Sequence, residues 1–205
     1  MPVLTASRTP AQLLAELERL VEVDWSTVWA GVPEGADQRT SWCAALGWQP
    51  LWFQAGLWVR TAGGTRLHVA ASAPGRAVTR VEHTMWAARA RDVVENDRVT
   101  RLALGSFTAH LAALRGVMGE PIGNGIQEDP DFPESPGSGP ERREEQPNPH
   151  RTAVWRFRTP GAPVFELRSD LGLGSQTAPV PADARIALIC HSPREQPMPG
   201  PDRHA

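Results

Sequence analysis

Residues 50–60, PLWFQAGLWVR, alternate between two kinds of side chain. Leu51, Phe53, Ala55, Leu57 and Val59 fall on one parity, and Trp52, Gln54, Gly56, Trp58 and Arg60 on the other. A two-residue period marks extended chain with one face turned to a core. Residues 65–71 (TRLHVAA) and 78–86 (VTRVEHTMW) repeat the pattern. Leu67, Val69 and Ala71 join the apolar side in the first, and Val81, His83 and Met85 in the second. The connectors Ala62-Gly63-Gly64 and Pro74-Gly75 are short and turn-like, so the three segments read as an antiparallel meander. Matching apolar face to apolar face fixes the parity, because a slip of one residue would turn every core side chain outward.

Working toward the N-terminus, Thr9-Pro10 is a helix start: an N-cap hydroxyl followed by proline at the first helical position. Leu13, Leu14, Leu17, Leu20 and Val21 follow at helical spacing, predicting a helix over about 10–23. A second short helix is expected after Asp37, ended by Gly47 in a left-handed conformation. Toward the C-terminus, Val99, Leu102, Ala103, Phe107, His110, Leu111, Leu114 and Met118 form one stripe of a long helix from 96 or 97 to 118. Gly119 and Pro121 close it. Gly105 inside it costs about 1 kcal/mol against alanine, and is read as a point of close packing on the sheet.

Residues 120–150 are rich in Pro, Gly and Glu and bury little, so a disordered acidic insertion is expected there. Residues 152–159 and 164–169 read as a hairpin, and 184–191 (ARIALICH) as a central strand. The fold class that results is α+β. It is a mostly antiparallel sheet of about six strands (βββ–α–βββ), with an N-terminal helix pair and one long helix packed on one face. One domain spans 1–191, and 192–205 is a flexible tail.

Composition narrows the function. All 21 basic residues are arginine, and the chain lacks Lys and Tyr altogether, the pattern of a GC-rich genome. Net charge is −2, without a basic stripe, which argues against nucleic-acid binding. Cys43 and Cys190 each sit in apolar context and read as buried free thiols of a reducing compartment. No segment has the composition of a signal peptide or a membrane span, so a soluble, cytoplasmic protein is expected.

Six of the eight tryptophans lie between Trp25 and Trp58. Two of them, Trp52 and Trp58, share the non-aliphatic face of the meander with Arg60, Arg66, His68, Arg80, Glu82 and Trp86. A plain solvated face would be Thr and Glu; indole with guanidinium is the composition of binding hot spots. The same rings would be ordinary core if the N-terminal helix or residues 22–36 covered them. A second candidate is a pocket between sheet and helices lined by Trp42, Trp48, His83 and His110, where paired histidines could bind a metal or act as acid and base. No metal-ligand spacing or nucleophile motif accompanies them, and no cofactor is expected. The carboxylates Glu128, Asp129, Asp131 and Glu134 of the insertion could serve as an auxiliary arm.

Leu46-Gly47-Trp48 leading into a strand, Met118-Gly119-Glu120-Pro121 after the long helix, and Trp155 followed by Glu166-Leu167 resemble small uncharacterised α+β proteins of high-GC actinobacteria. Those families include candidate immunity partners of polymorphic toxins. The α–βββ–α–ββ order is also similar to that of secretion chaperones. The resemblance implies a non-enzymatic module that binds another protein, a toxin or a secreted client, or a second copy of itself as a homodimer. It transfers no catalytic residue.

Overall fold

In the computed structural model, which describes residues 1–133, 136, 149–174 and 178–193, Thr9 caps helix α1 (Pro10–Val21). Its hydroxyl accepts from the Gln12 N–H while the Gln12 side chain accepts from the Thr9 N–H, a complete capping box. A further helix not expected from the sequence follows, α2 (Trp25–Ala30). Asp24 caps it, accepting from the Ser26 and Thr27 hydroxyls and main-chain N–H groups. Those bonds hold the Asp24 carboxyl down to about 2. Helix α3 (Ala36–Ala45) starts at Gly35, so Asp37 lies in its first turn and is not its cap. Gly47 takes the expected left-handed φ of 70°.

The described residues form nine strands and four helices, three strands more than expected. The strands are β1 (Val3–Ser7), β2 (Trp48–Phe53), β3 (Leu57–Thr61), β4 (Arg66–Ala70), β5 (Arg80–Arg89), β6 (Gly123–Ile126), β7 (Arg151–Trp155), β8 (Val164–Gly174) and β9 (Pro179–His191). Helix α4 (Asn96–Met118) separates β5 from β6. All described pairings are antiparallel, in the order β2-β3-β4-β5-β9-β8-β7-β6. Strand β6 and the turn after it occupy the start of the segment expected to be disordered; Asp129 accepts the Ile126 N–H there and closes the turn. Residues 134–135 and 137–148 of that segment, Glu134 among them, and 194–205 of the tail lie outside the described residues.

Two local features decide which side chains face where. Residues 50–60 are a hairpin rather than one strand: β2 and β3 pair Phe53 with Leu57 and Trp52 with Trp58 across the loop Gln54–Gly56. A three-residue loop joins positions of the same parity, so the expected alternation survives the turn. In β5 it does not survive. Thr84 pairs with Ala187 and Trp86 with Ile186, leaving Met85 as an extra residue. This bulge reverses the faces beyond it and carries Trp86 into the core.

The four helices bury their apolar residues in one cluster with the inner side chains of the sheet. Three of the enclosed indoles there find a main-chain acceptor for the N–H: Trp25 reaches the Leu20 oxygen at 3.0 Å, Trp29 that of Gly161 at 3.2 Å, and Trp155 that of Gly119 at 2.9 Å. Trp25 and Trp29 also stack on each other at 4.9 Å. Two expectations for α4 are corrected. Leu102 is exposed. Gly105 faces open space, so it marks no close approach to the sheet.

Candidate functional site

The register brings one residue of each of four neighbouring strands into a row on the side of the sheet away from the core cluster. Trp52 of β2 pairs with Trp58 of β3, Trp58 with His68 of β4, and His68 with Glu82 of β5. Trp52 and Trp58 stack with centroids 5.7 Å apart. Trp58 and His68 continue the stack at 4.8 Å. The Arg66 guanidinium lies 6.0 Å from the Trp52 ring centre, at the outer reach of a cation–π contact. Arg60 and Arg66 pair directly in the next row and both are exposed. Trp52 is 45% exposed, so this face is open rather than covered by the N-terminal helices.

His68 is fixed by the hairpin loop. Its Nε2 lies 2.9 Å from the Ala55 carbonyl oxygen. Gly56 makes room for it: at φ 124° a Cβ there would sit 2.5 Å from that nitrogen and 2.7 Å from the Val69 oxygen. The three-ring stack is therefore held by backbone at one end, and its free end is Trp52.

The rest of the expected face behaves differently. Glu82 is buried and forms an ion pair with Arg185, which also holds Asp170 at 3.2 Å. Arg80 is half-buried, its Nε 3.9 Å from Glu82. These two belong to a polar network that runs on across β9 and β8, a network the sequence reading missed. Glu166, fully buried, accepts from the Thr152 hydroxyl at 2.9 Å and contacts His191 Nε2 at 2.7 Å. The signal for it was present in the alternation of Glu166, Arg168 and Asp170 along one strand. Trp86, by the bulge, leaves the face entirely. What remains open is Trp52, Trp58, Arg60, Arg66 and His68.

Comparison with family models, curated proteins and solved structures returns no match.

The second candidate comes together only in part: His83 lies near enough to His110 for the two rings to interact, while Trp42 and Trp48 form a pair of their own. Trp42 and Trp48 meet edge to face at 5.9 Å, between α3 and β2. Trp48 lines a cleft with Glu16 and Thr61. His83 lines a different one, with Arg8 and Trp58. His110 sets Nδ1 2.7 Å from the Ser106 main-chain oxygen and Nε2 3.2 Å from that of Arg8, and a neutral ring donates to one of the two. Both thiols are buried and unbridged. Burial pushes Cys43 up to about 11, against the pull of Arg39, and raises Cys190 further. A thiol so placed is a poor nucleophile at neutral pH. Among the described residues no group of three His, Cys, Asp or Glu is placed to hold a metal ion, and no helix is long and apolar enough to cross a membrane.

Proposed function

We propose that this chain is a non-enzymatic module that binds another protein, of the immunity or chaperone-like kind, through the open face of Trp52, Trp58, Arg60, Arg66 and His68. One observation carries the reading: a stack of two indoles and an imidazole, buttressed by main chain, ends in a tryptophan that stands nearly half in water. Leaving a large apolar ring exposed forfeits about 25 cal/mol for each Å² of it. A rigid aromatic platform loses little entropy on docking, which suits it to recognition. Two exposed guanidiniums beside it select the partner's chemistry. The occupant is an acidic segment of a protein, its carboxylates forked by Arg60 and Arg66 and one flat or apolar side chain laid on Trp52. The unbridged thiols fit a reducing compartment such as the cytoplasm.

The test is selection of a displayed random-peptide library on the full chain. Wild type should enrich peptides in which Asp or Glu neighbours an aromatic residue. A Trp52→Ala, Arg60→Glu double variant should lose that enrichment while keeping its circular dichroism. Enrichment that ignores these positions overturns the reading. So does a concentration-dependent dimer, in sedimentation, that the same variant dissolves, since the face would then serve a second copy.

A further inference from the structure

The two neighbours of β5 on one edge do not meet. Strand β4 pairs with it from Arg80 to Glu82, and β1 pairs with it only from Trp86 onward. Between them the edge of β5 is open at His83 and Thr84, and a cleft of about 540 Å³ fills the break. That volume lies within the range of small-molecule sites. Because the break passes through the sheet, it collects side chains from both faces: His83 from the core side, and Trp58 and Arg66 from the open side.

Three features give the cleft a chemical preference. First, Arg8 and Arg66 both line it and, among the described residues, no acidic one does. Arg8 also reaches across the break to the Gly64 oxygen at 3.4 Å. Second, His83 is 3% exposed, yet its Nδ1 has no hydrogen-bond partner among the described residues. A buried polar atom without a partner is costly to leave so, and the residue that carries it lines the cleft. Third, the Trp58 indole supplies an apolar wall beside these groups.

We propose that this cleft binds a carboxylate carried on a flat apolar body, the carboxylate on Arg8, Arg66 and the His83 ring and the body against Trp58. Buried next to Arg8 and His110, the His83 ring is held down to about 4 and is neutral at pH 7. With its proton on Nδ1 it donates one hydrogen bond to a ligand oxygen, and the guanidiniums neutralise the charge. The proposal shares Trp58 and Arg66 with the protein-binding face, but the two can be told apart. Arg8 and His83 line the cleft and lie off the open face, whereas Trp52 and Arg60 are on the face and off the cleft.

The experiment is a titration of the full chain, labelled at the histidine ring nitrogens, with benzoate. A saturable change at His83 is expected, weakened about tenfold or more in Arg8→Ala and in Arg66→Ala, as the loss of one charge-assisted hydrogen bond requires. Arg101→Ala, on the exposed side of α4 and away from the cleft, should bind as wild type does. His83→Gln should also weaken binding; if it fails to fold, the two arginine variants decide. No saturable change, or a change undiminished in both arginine variants, overturns the proposal. Inorganic phosphate displacing benzoate on equal terms overturns it too, because the indole wall would then contribute nothing.

Discussion

Trp58 and His68 lie nearly parallel, 4.8 Å between ring centres and 25° between planes, on paired positions of two strands. Trp52 extends the stack on the other side of Trp58. Trp58→Ala removes both contacts at once. At about 0.5–1.5 kcal/mol for each aromatic pair beyond the area it buries, the variant should lose at least about 1–3 kcal/mol. Urea unfolding should show a lower midpoint with an unchanged slope.

Gly56, the buried last residue of the hairpin loop, should resist replacement. Gly56→Ala forces a Cβ into a left-handed φ and against both His68 and the Val69 carbonyl. The expected loss is more than about 1 kcal/mol. The His68 ring signals should move with it, because its bond to Ala55 shares the space. Unshifted ring resonances would show that the loop does not hold the stack.

Gly105 predicts the opposite sign. It sits inside α4, exposed, with nothing near the position a Cβ would take. Gly105→Ala should stabilise the chain by about 1 kcal/mol. Calorimetry should record a melting temperature higher by a few degrees.

His83 should make the fold acid-sensitive in a defined window. Burial first, then Arg8 and His110, lower its pKa from 6.5 to about 4. Between those values the unfolded chain binds a proton that the folded chain refuses. Stability is therefore fully present above pH 6.5 and falls as pH drops toward 4. The gap corresponds to about 3 kcal/mol. Denaturation at stepped pH should show the decline, and His83→Gln should flatten that part of the profile.

The buried carboxylate of Glu166 gives a stability prediction on the other side of the sheet. Glu166→Ala strands His191 and the Thr152 hydroxyl in a closed environment. Breaking a buried pair from one side costs about 3–5 kcal/mol. A change below about 1 kcal/mol in chemical denaturation would contradict the network, since surface-exposed pairs are the ones worth that little.

The alternation in 50–60 was legible because period-two patterning needs no knowledge of partners, and it survived an unforeseen turn because the loop has an odd number of residues. Trp86 was misassigned for the converse reason: a bulge at Met85 is set by pairing with β9, a strand a hundred residues away in sequence. Strand β6 carries Gly123 and Gly125, which have no side chains to alternate, so nothing distinguished it from loop. Helix α2 is only six residues long, too short for periodicity, although Asp24 before Ser26 and Thr27 was a readable cap. The cleft at His83 was beyond sequence reasoning, because it exists only where β1 comes to lie beside β5. The open face was legible in composition; that Glu82 and Arg80 belong to a buried network instead was not, since burial there comes from neighbouring strands.

Strand β2 ends the sheet at the very edge where the indoles stand, yet it carries Pro50 at its middle and a bulge beside it. Proline has no N–H to offer, and a kinked ribbon presents no straight row of donors and acceptors. Along this edge a visiting chain therefore finds no template for a further strand, and is left to settle flat upon the rings.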